Sequence, residues 1–305
     1  MNFPFFIAKR YFTTNQTSNF VHIISWVSLF GVAIGTAALI LVLSVFNGFE
    51  NLVLSMYNSF DPHLKITSAE GKTFNPTEAN TLLLTFDEIE NSALVLEEKV
   101  LLKYQDKEYI ATAKGVSEEY LELTNFNSLL IDGEYINSFE SNNVAVVGRG
   151  VAYYLSMGIG SMFDQLSVFI PNRNNTTLLN PATAFEQSGV LPVGVFGVQA
   201  DIDAAYIITP LLFVQQLAER NDAVTSIEIK LKDKGRMLIL QDQLQKVLGH
   251  NYLVKNRFQQ QEFLYKILNT EKLAVFFILT FIMIIATFNI IGSLSMLMLD
   301  KKKTI

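Results

Sequence analysis

The chain has 305 residues, half of them hydrophobic and only 17% charged, with a net charge of −6. An ordinary soluble protein carries about 25% charged residues. Here the deficit is confined to residues 11–49 and 273–299, which hold no Asp, Glu, Lys or Arg. Such a chain is not a purely cytosolic globular enzyme or a disordered polymer, and an acidic chain without a basic patch is not a nucleic-acid binder. A two-pass α-helical membrane protein with a water-soluble α+β middle remains.

In chain order, residues 1–22 form a cytoplasmic interfacial segment. Phe3, Phe5, Phe6, Ile7, Tyr11 and Phe12 surround Lys9 and Arg10, which suits a short helix with its cations among lipid headgroups. Residues 23–46 are the first transmembrane helix. At about 1.5 Å per residue they cover roughly 36 Å, enough for a hydrocarbon layer of about 30 Å. The apolar run is too long for a signal peptide and no A-x-A site closes it, so an uncleaved anchor is expected. Gly31 and Gly35, continued by Ala33 and Ala37, have the small-xxx-small spacing of a helix-packing seam.

The soluble part spans 47–270. Strands are expected at 63–67, 108–114, 143–148, 165–170, 193–198, 205–208, 226–231 and 252–257, and helices at 76–85, 149–156, 210–219 and 236–248. The stretch 171–192, polar and bounded by prolines, reads as a loop of about twenty residues, long enough to suggest a function. From Gln259 an amphipathic helix is expected to run unbroken into the second transmembrane helix, 271–293. Residues 294–305 begin a cytoplasmic coupling segment.

Lys9 and Arg10 precede the first span and Lys301, Lys302 and Lys303 follow the second, so both termini are expected in the cytoplasm. Residues 50–272 carry 18 positive and 28 negative charges and are expected outside. His22, His63 and His250 are scattered, and with no cysteine they build no metal motif; each reads as a surface or interface residue. Gly148-Arg149-Gly150 imitates half a dinucleotide fingerprint, but Tyr153 stands where its third glycine belongs, so a plain strand-to-helix turn is expected. No Walker A sequence is present, and neither a catalytic constellation nor a cofactor site is expected. Asn15, Asn174 and Asn175 fit the glycosylation rule, which informs only for a glycosylating source.

Ser25-Trp26-Val27-Ser28, continuing through Gly31, Ala33 and Gly35 to residues 43–50 (LSVFNGFE), closely resembles the first span of the lipoprotein-releasing permeases of the LolC/LolE type, within the wider MacB/FtsX-like ABC permease family. Residues 6–11, 144–160, Glu271-Lys272 and Phe288-Asn289-Ile290 extend the likeness over essentially the whole chain. The resemblance implies a MacB-like periplasmic core domain between two spans of a bacterial inner-membrane permease. It also implies pairing with itself or a paralogous permease, a cytoplasmic ABC ATPase, lipoprotein substrates and a periplasmic lipoprotein carrier. Family members have four spans, so a chain that stops at Ile305 reads as a fragment. Loop 171–192 matches the hook that grips the carrier, with Arg173 its cation and Leu178, Leu179, Phe185 and Leu191 its apolar anchors. Lys301, Lys302, Lys303 and Thr304 fall where the family contacts its ATPase. The alternatives are a MacB-like efflux permease, an FtsX-like force-transmitting permease, or a two-pass extracytoplasmic sensor.

Overall fold

The computed structural model describes residues 3, 6, 19–57, 62–133, 143–157, 165–171 and 185–302. The chain divides into two units, Met1–Val53 with Phe263–Ile305, and Leu54–Glu262.

Along the chain the elements are α1 (Asn19–Tyr57), β1 (Leu64–Ser68), α2 (Thr77–Leu83), β2 (Ile89–Tyr104), β3 (Lys107–Val116), α3 (Glu119–Thr124), β4 (Leu130–Gly133), β5 (Val144–Gly148) and α4 (Arg149–Leu155). They continue with β6 (Leu166–Pro171), β7 (Phe185–Phe196), α5 (Ala200–Ala205), β8 (Tyr206–Pro210), α6 (Leu211–Leu217), β9 (Ser226–Leu231), α7 (Met237–Leu248), β10 (Tyr252–Asn256), α8 (Arg257–Gln260) and α9 (Glu262–Lys302).

The first unit is built on α1 and α9, 39 and 41 residues long, both long and apolar enough to cross a membrane. Their described side chains are mostly exposed, Phe30, Ile34, Leu41, Phe277 and Phe281 among them. A helix with apolar residues all round satisfies its own backbone hydrogen bonds and offers lipid no polar edge. Phe3 and Phe6 are helical and exposed; the rest of 1–18, including Lys9 and Arg10, lies outside the described residues.

In the second unit the strands run β10-β1-β9-β2-β3-β8-β5-β7-β4, and β6 pairs with both β2 and β7. The pairings β2–β3–β8–β5–β7–β6–β2 therefore close a six-stranded ring. Its filling is apolar: Leu102 and Tyr104 from β2, Val147 from β5, Val168 from β6 and Ile207 from β8, joined by Leu155 of α4 and Phe213 of α6. A wing of β9, β1 and β10 extends from the β2 side, covered by α2 and α7 through Leu83, Leu240 and Leu244.

The 16-residue β2 joins ring and wing. Its first half pairs antiparallel with β9 and its last residues with β6, while β3 follows it from Val95 to Tyr104. None of β2 is among the strands expected from the sequence. Glu97-Glu98-Lys99 interrupts its apolar alternation and imitates a solvent turn, yet Glu98 is buried and Glu97 half-buried.

Most expected strands are present within a few residues. The expectation of one helix running unbroken from Gln259 is corrected. Arg257–Gln260 is a separate turn, and Gln261 leaves helical geometry at φ −108 and ψ 38 before α9 begins. The turn's start is fixed by an N-terminal capping box: the Asn256 side chain accepts from Gln259 N–H at 3.0 Å, and the Gln259 side chain accepts from Asn256 N–H at 3.1 Å.

Gly148-Arg149-Gly150 is the strand-to-helix turn from β5 to α4. A Cβ on Gly150 would stand 2.7 Å from Ala204 Cα, and one on Gly148 would collide with the Asp203 carbonyl oxygen. The glycines let α5 approach, which accounts for them without a nucleotide.

Candidate functional site

Three places carry the functional expectations: the β6–β7 hairpin, the glycine face of α1 and the basic end of α9. In the hairpin, Leu166 pairs with Val190 and Pro171 with Phe185, antiparallel throughout. Leu166, Val168, Ile170 and Val190 face the ring interior and are buried, so the hairpin's base is anchored by the period-2 alternation of its own residues.

The expected loop of 171–192 is therefore too long. Pro171 closes β6, and residues 185–192 belong to β7, leaving 172–184 between the strands. Gly189 and Pro192 disguised the first part of β7 as a loop, while its end falls in the expected strand 193–198. Pro192 is tolerated because it sits where the β5–β7 register shifts, Ala145 facing Pro192 and Val146 facing Gly194. Of the expected contact residues, Arg173, Leu178 and Leu179 lie outside the described residues, as do Asn174 and Asn175. Phe185 and Leu191 are on β7 rather than in a loop, 47% and 41% exposed. Their even separation puts both on the outward face of the strand.

Gly31 and Gly35 lie on α1, and a Cβ built at either would meet nothing within 4 Å. Lys301 and Lys302 close α9; Lys303 and Thr304 lie outside the described residues.

Sequence reasoning missed the interior charges. Where α3 covers the sheet, Lys114 of β3 and Glu228 of β9 form an ion pair of 2.9 Å with side chains 2% and 1% exposed. Lys65 of β1 lies 3.5 Å from both Glu228 and Glu97. The Lys114 ammonium also sits 4.6 Å from the centre of the Tyr120 ring. Two cations and two anions thus balance beneath α3. Burial alone would lower the Lys114 pKa, but Glu228, Tyr120 and Glu97 override it and hold the ammonium well above its ordinary range. Burial would raise Glu97, yet Lys65 and Lys114 keep it below the usual carboxylate value. Burial pushes the Tyr120 phenol up, against the pull of Lys114.

On the opposite face of β2, Glu98 pairs with Lys72 at 2.6 Å and with Arg220 at 3.5 Å, tying the segment before α2 and the turn after α6 to the strand. The register of β1, β9, β2 and β3 brings these charges together. Their geometry is structural: each charge is met by another, and the described residues hold no group of three metal-ligating side chains.

His63, expected at a surface or interface, is 5% exposed. Its Nδ1 accepts a hydrogen bond from Leu231 N–H at 2.9 Å, which leaves the proton of the neutral ring on Nε2. Burial first, then the charges of Arg257 and Lys234, lower its pKa to about 4.

A ring of strands with a sheet wing lies in sequence between two helices long and apolar enough to cross a membrane, and defines an α+β domain. The chain belongs to the family of the MacB-like periplasmic core domain, whose model matches residues 25–247. It is 27% identical over 304 residues to the lipoprotein-releasing system transmembrane protein LolC of Buchnera aphidicola, covering 98% of this chain and 73% of that one. To the lipoprotein-releasing system transmembrane protein LolE of Haemophilus influenzae it is 26% identical over 313 residues, covering 99% and 72%. The resemblance first visible in the α1 motif is thus to LolC/LolE-type permeases over nearly the full chain. The crystal structure of the periplasmic region of MacB from Actinobacillus actinomycetemcomitans superposes with a TM-score of 0.48 at 13% identity, covering 68% of this chain and 95% of that one.

Proposed function

We infer that this chain is a transmembrane permease subunit of an ABC transporter that releases lipoproteins from the bacterial inner membrane to a periplasmic carrier. The observation that carries this reading is its similarity to LolC and LolE proteins over 98% and 99% of its length.

In this reading both termini are cytoplasmic, because Lys9, Arg10 and Lys301 to Lys303 flank the apolar helices. The ring-and-wing domain is periplasmic, and a partner ATPase binds and hydrolyses ATP. Residues 301–304 transmit the ATPase stroke. Segment 172–184, with Arg173, Leu178 and Leu179, grips the carrier, and Phe185 and Leu191 extend that contact along β7. The seam of Gly31 and Gly35 receives a helix of a second permease, the same chain or a paralogue, since small residues allow close backbone approach.

The full-length protein, co-expressed with its candidate ATPase, tests this directly. It should pass a radiolabelled lipoprotein from proteoliposomes to soluble carrier in an ATP-dependent manner, and shortening 172–184 to a glycine-serine bridge should abolish capture of the carrier while ATPase association survives. ATP-dependent export of small amphiphiles with no lipoprotein transfer would instead make it a MacB-like efflux permease. A cysteine in place of Ser128 should react with an impermeant thiol reagent in intact cells, and one in place of Lys302 should not.

A further inference from the structure

The wing ends on β10, which pairs with β1 on one side and, among the described residues, with no strand on the other. In an antiparallel pair alternate residues turn their backbone groups outward, and in β10 these are Tyr252, Val254 and Asn256. A bare edge of this kind is a template for another strand. Here side-chain amides cover it. Gln245 of α7 accepts from Val254 N–H at 2.9 Å through Oε1 and donates to the Tyr252 carbonyl oxygen at 2.8 Å through Nε2. Those are the two bonds that one residue of a parallel neighbouring strand would make on either side of Leu253. Gln241 donates to the Val254 carbonyl oxygen at 2.8 Å, and Gln259 accepts from Asn256 N–H at 3.1 Å. Gln241 is itself fixed by Asn256, whose Nδ2 donates to its Oε1 at 2.8 Å.

The match is one of periods. Gln241 and Gln245 stand one helical turn apart, about 6 Å along α7, and the carbonyls they reach are two strand residues apart, about 6.6 Å along β10. Leu240, Leu244 and Leu248 bury the neighbouring stripe of α7 in the wing's core, which holds the glutamine stripe beside the strand. We propose that Gln241 and Gln245 keep the edge of β10 closed to strand addition by a second copy of this chain. A second copy is the occupant excluded because β10 can pair with itself. Antiparallel pairing centred on Val254 lets the two Val254 residues exchange both backbone bonds and sets Leu253 opposite Lys255 of the second copy, so that no like charges face each other. With the cover in place, each outward donor and acceptor from the Tyr252 carbonyl to the Asn256 N–H is already bonded. The inference is independent of the transport reading, because it needs neither an ATPase nor a carrier.

The test follows amide exchange of the full chain in detergent micelles at low and at high protein concentration. Val254 N–H reports on this edge alone, and in the parent it should be equally protected at both concentrations. In the Gln241→Ala/Gln245→Ala variant, which retains good helix formers in α7, it should exchange about tenfold faster at low concentration, the equivalent of one net hydrogen bond, and regain protection at high concentration as copies pair. Ile227 and Ile229, buried in the same wing, should keep their parental protection and so report an intact fold. If they do not, Gln245→Met, which keeps the side-chain length and loses the amide, is read in the same way with the same direction expected. Gln243→Ala, at an exposed position of α7, should behave as the parent does. Parental protection of Val254 in the cover variants, or faster exchange that high concentration does not slow, overturns the proposal. So does protection regained only on adding a valine-threonine repeat peptide, because the edge then admits an extended strand but not a second copy.

Discussion

The interior of the strand ring and the layer beneath α3 lie on opposite faces of the same two strands, β2 and β3, yet they are stabilised in different ways. Inside the ring, Leu102, Val168, Ile207 and Phe213 exclude water and every contact is non-directional. Beneath α3, Lys114, Glu228, Lys65 and Glu97 are held out of water by one another. The ring interior tolerates loss of shape in proportion to the cavity made, whereas the ionic layer tolerates removal of a neutral pair but not of one partner.

The largest expected effect breaks the ionic layer on one side. Lys114→Met leaves Glu228 buried with only the more distant Lys65, and should cost about 3–5 kcal/mol in the guanidinium unfolding midpoint. Adding Glu228→Leu leaves Lys65 paired with Glu97 and should recover most of that loss. If the double variant is as unstable as the single one, the layer is not held by charge balance.

Next comes the ring, where Leu102→Ala removes a fully buried side chain and should cost about 2–4 kcal/mol by the same measurement. No second substitution on the ring wall should rescue it in the way Glu228→Leu rescues Lys114→Met.

Acid sharpens the comparison further through His63. The unfolded chain takes up this proton near pH 6.5, the folded chain only near 4, so the stability it confers is complete above 6.5 and lost as pH falls towards 4. The fall should reach roughly 2 kcal/mol by pH 4.5, and His63→Gln, which keeps an acceptor for Leu231 N–H, should flatten it. Glu97, whose pKa is depressed, adds its own loss only below its ordinary value of 4.5, so the two contributions separate by pH window. An unchanged slope in His63→Gln would assign the acid sensitivity elsewhere.

The smallest effect is expected at the hairpin's outward face. Phe185→Ser removes a side chain that is about half exposed, and should change stability by less than about 0.5 kcal/mol. Any loss of carrier capture in that variant is then a contact effect rather than a folding effect.

By itself the sequence determined the two apolar helices, their charged flanks and the period of most strands and helices. Those properties are local: a run without charge, a proline at a first turn, an alternation of apolar residues. The same local rules misread residues 185–192 of β7, because Gly189 and Pro192 signal a turn wherever a register shift is unseen, and they missed β2, because Glu97 and Glu98 signal solvent wherever their partners are unseen. Only the tertiary structure decided that β6 closes a ring between β2 and β7, that Lys114 and Glu228 meet across 114 positions of chain, and that Gln241 and Gln245 bond the edge of β10. Strand register is the physical reason. A buried charge is affordable only opposite its counter-charge, and which residue stands opposite is fixed by pairing between distant segments that composition and spacing do not encode.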